Sequence, residues 1–218
     1  EEPWRQQCHE PTTFRKSKKE KDGPATNMEL AWVFGLSSQK IRNSTKYVVG
    51  ELDPVQPKFV VYPTAAVGVV CDLETRAQSF YQGHSEEITA IALHPSGRRI
   101  VTADAAAKIH IWDAITLSTV CTIDGVVKQG YQLLEFSPLL DRLCTVGLDA
   151  DHTIAIYDIA SGEIVQSGKG ISVPNNVNGI AYSKSGTEIA LVGKETLVFL
   201  KGVNTKSRAL EPLVGKIG

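Results

Sequence analysis

Several things are scarce in this chain. No apolar run approaches the roughly 20 residues needed to cross a bilayer; the densest, Phe59 to Cys71, is interrupted by Pro63. A membrane partner is not expected. There is no excess of one charge: 23 Lys and Arg stand against 24 Asp and Glu, a net charge of −1. That balance gives no global basic field of the kind a dedicated nucleic-acid binder carries. Cysteine is sparse. Cys8, Cys71, Cys121 and Cys144 are widely spaced, with no C-x-x-C pair. A disulfide framework is not expected at this size. Three of the four lie in apolar runs, as small buried side chains of a reducing compartment would.

Catalytic signatures are also missing. Gly193-Lys194-Glu195 lacks the upstream Gly and the following Ser/Thr of a phosphate loop. Gly35-Leu36-Ser37-Ser38-Gln39 fails the last position of a nucleophile elbow. His9-Glu10 has no second His to make a zinc helix. The other histidines, His84, His94, His110 and His152, are scattered over loops, turns and one strand. No catalytic residue, metal ligand or cofactor is expected, and the reading is not an enzyme. Asn43-Ser44-Thr45 matches a glycosylation sequon that a cytosolic chain would not use.

What is present is short β-runs between tight turns. The clearest stretch opens at Gly83-His84 and alternates through Ile88-Thr89-Ala90-Ile91-Ala92-Leu93. It turns at His94-Pro95-Ser96-Gly97, returns through Arg99 to Ala103 and closes at Ile109-His110-Ile111-Trp112-Asp113. Gly-His at the start and Trp-Asp at the end match the signature of a WD-repeat propeller blade. Gly83, His84, Thr102, Trp112 and Asp113 read as structural positions, because a buried indole N–H needs a polar partner. Cys71-Asp72 and Tyr157-Asp158 stand at the same place, 41 residues before and 45 after Trp112-Asp113, close to the roughly 40–45-residue period of such repeats. Asp149 and Asp151 fall in the turn before the third strand of the following unit, where Asp commonly holds the chain; Asp151 is the structural position chosen. In the clearest blade that turn position is Ala106, with Asp104 two residues earlier. A last unit begins at Asn178, has Phe199-Leu200 in place of Trp-Asp, and runs into a basic, Gly-containing tail from Lys201.

The fold class read from this is all-β, a partial WD-repeat β-propeller of one partial and three near-complete blades. Residues 1–28 are a polar, basic linker or tail, 29–57 an aromatic and apolar motif, and 58–218 the blades. Propellers need about 4–8 blades to close, so the wheel is expected to be incomplete. The chain begins without Met, which suggests a piece of a longer protein.

Residues 29–57 carry a more specific likeness. Leu30-Ala31-Trp32-Val33-Phe34-Gly35, then Arg42-Asn43 and Tyr47-Val48-Val49, resemble the hydrophobic HELP motif of the echinoderm microtubule-associated protein-like family, where it precedes WD repeats as it does here. Leu30, Trp32, Phe34 and Leu36 fall at a period of two, which fits a short strand, and the resemblance implies that Leu30, Trp32, Val33, Phe34, Gly35, Arg42 and Asn43 belong to the domain core.

It also implies a non-catalytic microtubule-binding scaffold of the cytoplasmic cytoskeleton, with an axonemal setting as one variant. Tubulin and other cytoskeletal or axonemal proteins would be its partners, with no nucleic acid and no membrane. The alternative is a general WD-repeat interaction scaffold without tubulin affinity. Acidic tubulin would meet basic residues, so Arg15, Lys16, Lys18, Lys19, Lys40, Arg42, Arg98 and Arg99 are the candidate contacts.

Overall fold

The computed structural model describes residues 29–39, 41–50, 56–139, 142–170, 177–194, 196–203 and 210–215. Among these, all regular structure is strand, arranged as four antiparallel sheets of four strands, each a simple meander. The first sheet holds β1 (Lys46–Val49), β2 (Pro57–Thr64), β3 (Val67–Asp72) and β4 (Gln78–Tyr81). The second holds β5 (Ile88–Leu93), β6 (Arg99–Asp104), β7 (Lys108–Asp113) and β8 (Thr119–Asp124). The third is β9 (Tyr131–Phe136), β10 (Arg142–Gly147), β11 (Ile154–Asp158) and β12 (Ile164–Gly168). The fourth is β13 (Val177–Tyr182), β14 (Ile189–Gly193), β15 (Leu197–Lys201) and β16 (Glu211–Gly215). The all-β, propeller-blade reading holds.

Three boundaries differ from expectation. Tyr47-Val48-Val49, read as part of the motif, is the first strand of the first sheet and pairs with β2. That blade is therefore whole, not partial. The segment after Lys201, read as a tail, returns as β16 against β15. Residues 30–36 form no strand.

The four sheets stack in sequence, and the second and third bury both faces through period-two alternation. Val61, Val70 and Tyr81 of the first sheet meet Ile88, Ile100 and Trp112 of the second. Ala90, Val101 and Ile111 of the second meet Leu134, Phe136, Leu143 and Tyr157 of the third. Cys144, Ile154 and Ile156 of the third meet Ile189, Leu191, Val198 and Leu200 of the fourth. Each core is shared only with the adjacent sheet, the nearest-neighbour arrangement of repeat architectures. The first strands β5, β9 and β13 lie side by side along one edge of the stack.

The turn after each third strand is built the same way in three sheets. Asp72 Oδ1 accepts the amides of Glu74 and Thr75, Asp113 Oδ1 those of Ile115 and Thr116, and Asp158 Oδ1 those of Ala160 and Ser161. Four residues beyond each Asp the backbone is left-handed, with φ of 65° at Arg76, 58° at Leu117 and 71° at Gly162. The fourth sheet has Lys201 at the Asp position, because Ile189 pairs with Leu200 as Ile100 does with Trp112. Leu200, fully buried, therefore replaces the Trp. The assignment to Phe199-Leu200 was one residue early.

Candidate functional site

The second sheet contains a continuous buried polar chain. Trp112 Nε1–H donates to Thr102 Oγ1 at 3.0 Å, and Thr102 Oγ1 lies 2.7 Å from His84 Nε2. His84 Nδ1 lies 2.9 Å from Asp104 Oδ2. Since Thr102 has a single hydroxyl hydrogen, the simplest satisfied pattern sends it to the Nε2 lone pair of a neutral imidazole. His84 then carries its proton on Nδ1 and donates to the carboxylate. Burial pushes the His84 pKa down, against the pull of Asp104, in keeping with the neutral ring. Asp104 Oδ1 accepts the Lys108 amide at 2.9 Å and so also closes the turn. The turn carboxylate of this blade is Asp104, not a residue at Ala106.

A second layer joins the first two sheets. Tyr81 of β4 stacks flat on Trp112 of β7, and its hydroxyl lies 2.9 Å from His110 Nδ1 and 2.8 Å from Thr119 Oγ1. The His84 and His110 rings stack at 4.1 Å. Desolvation first, and then the neighbouring His84, lowers the His110 pKa. Gly83 is required here: a Cβ would run into the Tyr81 hydroxyl and ring.

The third sheet performs the same task with other residues. Tyr157 takes the Trp place, and its hydroxyl meets Tyr131 OH at 3.1 Å and the Val126 amide at 3.2 Å. Thr145, in register with Thr102, bonds instead to the Ala155 carbonyl. Asp149, not Asp151, holds the turn: it accepts the Thr153 amide and hydroxyl, as Asp104 accepts Lys108. Asp151 instead faces Lys169 at 3.0 Å on the surface. Gly147 occupies the strand position of Asp104, and a Cβ there would overlap the Asp149 carboxylate.

The aromatic motif does not lie in the core. Phe34 is 94% exposed, Leu36 47% and Trp32 45%. Leu30, which belongs to a separate unit ending at Ala31, is 40% exposed. The physical reason is the way the segment is anchored. The Val33 amide donates to Gln78 Oε1 at 2.8 Å, and Gln78 Nε2 donates back to the Val33 carbonyl at 3.1 Å. Thr64 donates to the Gly35 carbonyl at 2.6 Å, and the Ser37 amide to Pro63 O at 3.0 Å. Every second residue is tied by its backbone to the first sheet, and the intervening aromatics remain outside. Arg42 and Asn43 are exposed, with Asn43 left-handed at φ 54°, while Ile41 between strap and sheet is buried.

The basic candidates divide. Arg15, Lys16, Lys18, Lys19 and Lys40 lie outside the described residues. Arg98 is bound to Asp113 through Nε at 2.5 Å. Partial burial pushes the Asp113 carboxyl up, but the amides of Thr116 and Ile115 and the Arg98 guanidinium outweigh it and hold it below the ordinary range. Arg42 and Arg99 are exposed.

Beside the first strands β1, β5, β9 and β13 is a cavity of about 940 Å³, with Arg42, Lys46, Glu87, Gln132, Glu135 and Asn178 on its wall. Burial lowers the Lys46 pKa and raises that of Glu135, and each charge partly offsets the shift of the other. Gln132 Oε1 is buried with no hydrogen-bond partner among the described residues. No group of three His, Cys, Asp or Glu side chains converges as a metal site among the described residues. Cys71, Cys121 and Cys144 are free thiols, and burial pushes that of Cys144 far up. No helix among the described residues is long and apolar enough to cross a membrane.

Residues 75–113, from the first Asp turn to Asp113, match the WD domain, G-beta repeat family. Among curated proteins the chain is 28% identical over 160 residues to echinoderm microtubule-associated protein-like 2 of Rattus norvegicus, covering 67% of this chain and 23% of that protein. The chain is thus similar to the echinoderm microtubule-associated protein-like proteins and carries a WD repeat. Identity is 28% to member 1 of Homo sapiens and 27% to member 4 of Mus musculus, in each case over 62% of this chain. These alignments span 17% and 14% of the two relatives, so the chain corresponds to less than a quarter of the length of any of the three. The resemblance read from the sequence holds at this level. Repeat, relatives and stacked sheets together describe a WD-repeat scaffold.

The residues that sequence reasoning missed are Asp104, Tyr81, His110 and Gln78; Asp149 was placed in its turn, but Asp151 was chosen over it. Only Asp104 and Asp149 had a local signal, an Asp four residues before the amide it caps.

Proposed function

We propose that the chain is part of a non-catalytic, microtubule-associated WD-repeat protein that binds or stabilises microtubules as a scaffold. The observation that carries this reading is the similarity to three proteins whose names describe microtubule association, set on stacked sheets whose buried polar groups tie the fold together. Residues 29–57 serve as the HELP-like element, tubulin is the partner, and the setting is the cytoplasmic cytoskeleton, extending to the axoneme. Arg42 and Arg99 are the contacts of choice, being exposed. Arg98, tied to Asp113, is a weaker candidate.

The test is cosedimentation of the purified chain with taxol-stabilised microtubules over a salt series. Binding at low salt that fades as salt screens surface charge is expected, with Arg42→Glu/Arg99→Glu shifting the fade to lower salt. No pelleting at low salt would remove the proposal. Localisation of a tagged chain in ciliated cells tests the axonemal extension.

The exposed Trp32–Phe34 pair favours a second reading, a WD-repeat interaction scaffold without tubulin affinity, since exposed aromatic patches mark protein contacts. Capture of other proteins with no tubulin among them would support it.

A further inference from the structure

A run of hydroxyls and imidazoles crosses the seam between the first two sheets. Thr119 Oγ1 of β8 lies 2.8 Å from the Tyr81 hydroxyl of β4, and that hydroxyl lies 2.9 Å from His110 Nδ1 of β7. The His110 ring rests on the His84 ring, 4.1 Å between centroids and 19° between planes. Thr119 is exposed, whereas Tyr81, His84 and His110 are buried. The run therefore leads from the surface of an outer strand to the stacked pair.

Donor and acceptor strength place the hydrogens along it. Tyr81 has one hydrogen for two partners. A phenol is a stronger acid than an aliphatic alcohol, and an imidazole nitrogen is a better base than a hydroxyl oxygen. With His110 neutral, Thr119 donates to Tyr81 and Tyr81 donates to Nδ1, so the ring proton sits on Nε2. A proton arriving at Nδ1 reverses both bonds. Nδ1–H then donates to the Tyr81 oxygen, Tyr81 donates to Thr119, and no hydrogen bond is lost. His84 has no such freedom. Its Nδ1–H is committed to Asp104, and its Nε2 takes the hydrogen of Thr102, whose oxygen already accepts the Trp112 N–H. The Thr102 hydroxyl makes no other hydrogen bond among the described residues, so a second proton on His84 would leave that hydrogen without an acceptor. Two rings this close in a buried seam do not both carry charge.

We propose that the stacked pair takes up a single proton in the folded chain, at His110 Nδ1, and that this proton turns the Thr119–Tyr81 hydrogen bond around. Exposed Thr119 offers its hydrogen inward when His110 is neutral and outward, to solvent, when it is charged. The groups acting on His110 set where this happens. Burial, His84 and Lys108 of its own strand oppose the charge, and Asp104 of β6 favours it. Tyr81 stays a neutral phenol because burial raises its pKa. Thr122, the register partner of His110 on β8, carries no charge. Uptake therefore falls below the ordinary histidine value of about 6.5. This inference is independent of the microtubule reading, because it concerns ring protons in the chain without tubulin.

NMR correlation of ring nitrogens with ring hydrogens, on the isotope-labelled chain titrated from about pH 7.5 to about pH 5, reads the tautomer and charge of each histidine. His110 should begin as the Nε2–H tautomer and titrate in one step, while His84 keeps Nδ1–H for as long as the chain is folded. Thr119→Val removes the acceptor that the reversed Tyr81 hydrogen needs, and should lower the His110 midpoint by about half a pH unit or more. Thr119→Ser keeps the hydroxyl and should restore the midpoint. In a Tyr81→Phe background Thr119→Val should shift nothing further, an outcome that a packing role for Thr119 does not predict. Neutral His110 found as the Nδ1–H tautomer overturns the proposal. So does protonation of His84 at or before that of His110, or a His110 midpoint indifferent to Thr119→Val.

Discussion

The rings of Tyr81 and Trp112 lie parallel, 4.4 Å between centroids and 3° apart in plane, although they belong to different sheets. The indole is thus held twice. Its edge is fixed within the second sheet by Thr102, and its face is covered by the last strand of the first. Gly68 approaches the same ring so closely that a Cβ there would fall 2.9 Å from its Cζ2.

Removing only the Tyr81 hydroxyl separates stacking from hydrogen bonding. Tyr81→Phe keeps the ring but deprives His110 and Thr119 of a partner, and should cost about 1–2 kcal/mol. Tyr81→Ala loses the stack as well and should cost about 3–5 kcal/mol. Urea unfolding followed by Trp fluorescence measures both, and equal losses would show that the stack contributes nothing.

Thr102→Val preserves shape and deletes the oxygen between indole and imidazole. Two buried polar groups lose their partner at once, at about 1–3 kcal/mol each. A loss of about 2–5 kcal/mol in chemical denaturation is expected. Thr145→Val, where the hydroxyl serves one carbonyl, should cost less.

Acid should loosen the contact between the first two sheets. His84 and His110 both titrate below the ordinary histidine value when folded, mainly through burial. Between the folded and unfolded values the unfolded chain binds more protons, so stability rises with pH through that window and is lost as pH falls below about 6.5. Thermal melts from about pH 7.5 to about pH 5 should show a falling midpoint, and His110→Phe should flatten the slope. Asp113, held low, contributes only at still lower pH, where its carboxylate protonates.

Two glycines give opposite expectations. Gly83→Ala forces a methyl into Tyr81 and should destabilise by about 1–3 kcal/mol. Gly35→Ala meets nothing within 4 Å and should leave the melting midpoint nearly unchanged.

The blades were legible because their signal is local. Gly83-His84 and Trp112-Asp113 bracket alternating strands, and Asp72, Asp113 and Asp158 recur near the repeat length. Asp104 lies two residues before Ala106, the position at which the repeat pattern places the turn Asp, so spacing alone does not point to it. Tyr81 and His110 meet across sheets, and no spacing announces such a pair. The motif at residues 30–36 shows a different limit. Period two correctly marks a chain anchored at every second residue, through Val33, Gly35 and Ser37. Periodicity does not say which side is covered, and here the aromatic side is open.

Gly147 and Asp149 bear on how such repeats diverge. The loop there is longer than its counterpart after Asp104, yet the Asp149 carboxylate fills the space where a side chain on Gly147, the register counterpart of Asp104, would begin. The repeat keeps a carboxylate capping this turn while the chain that delivers it changes length. Superposing blades by atoms will therefore recover kinships that aligning them by letters discards.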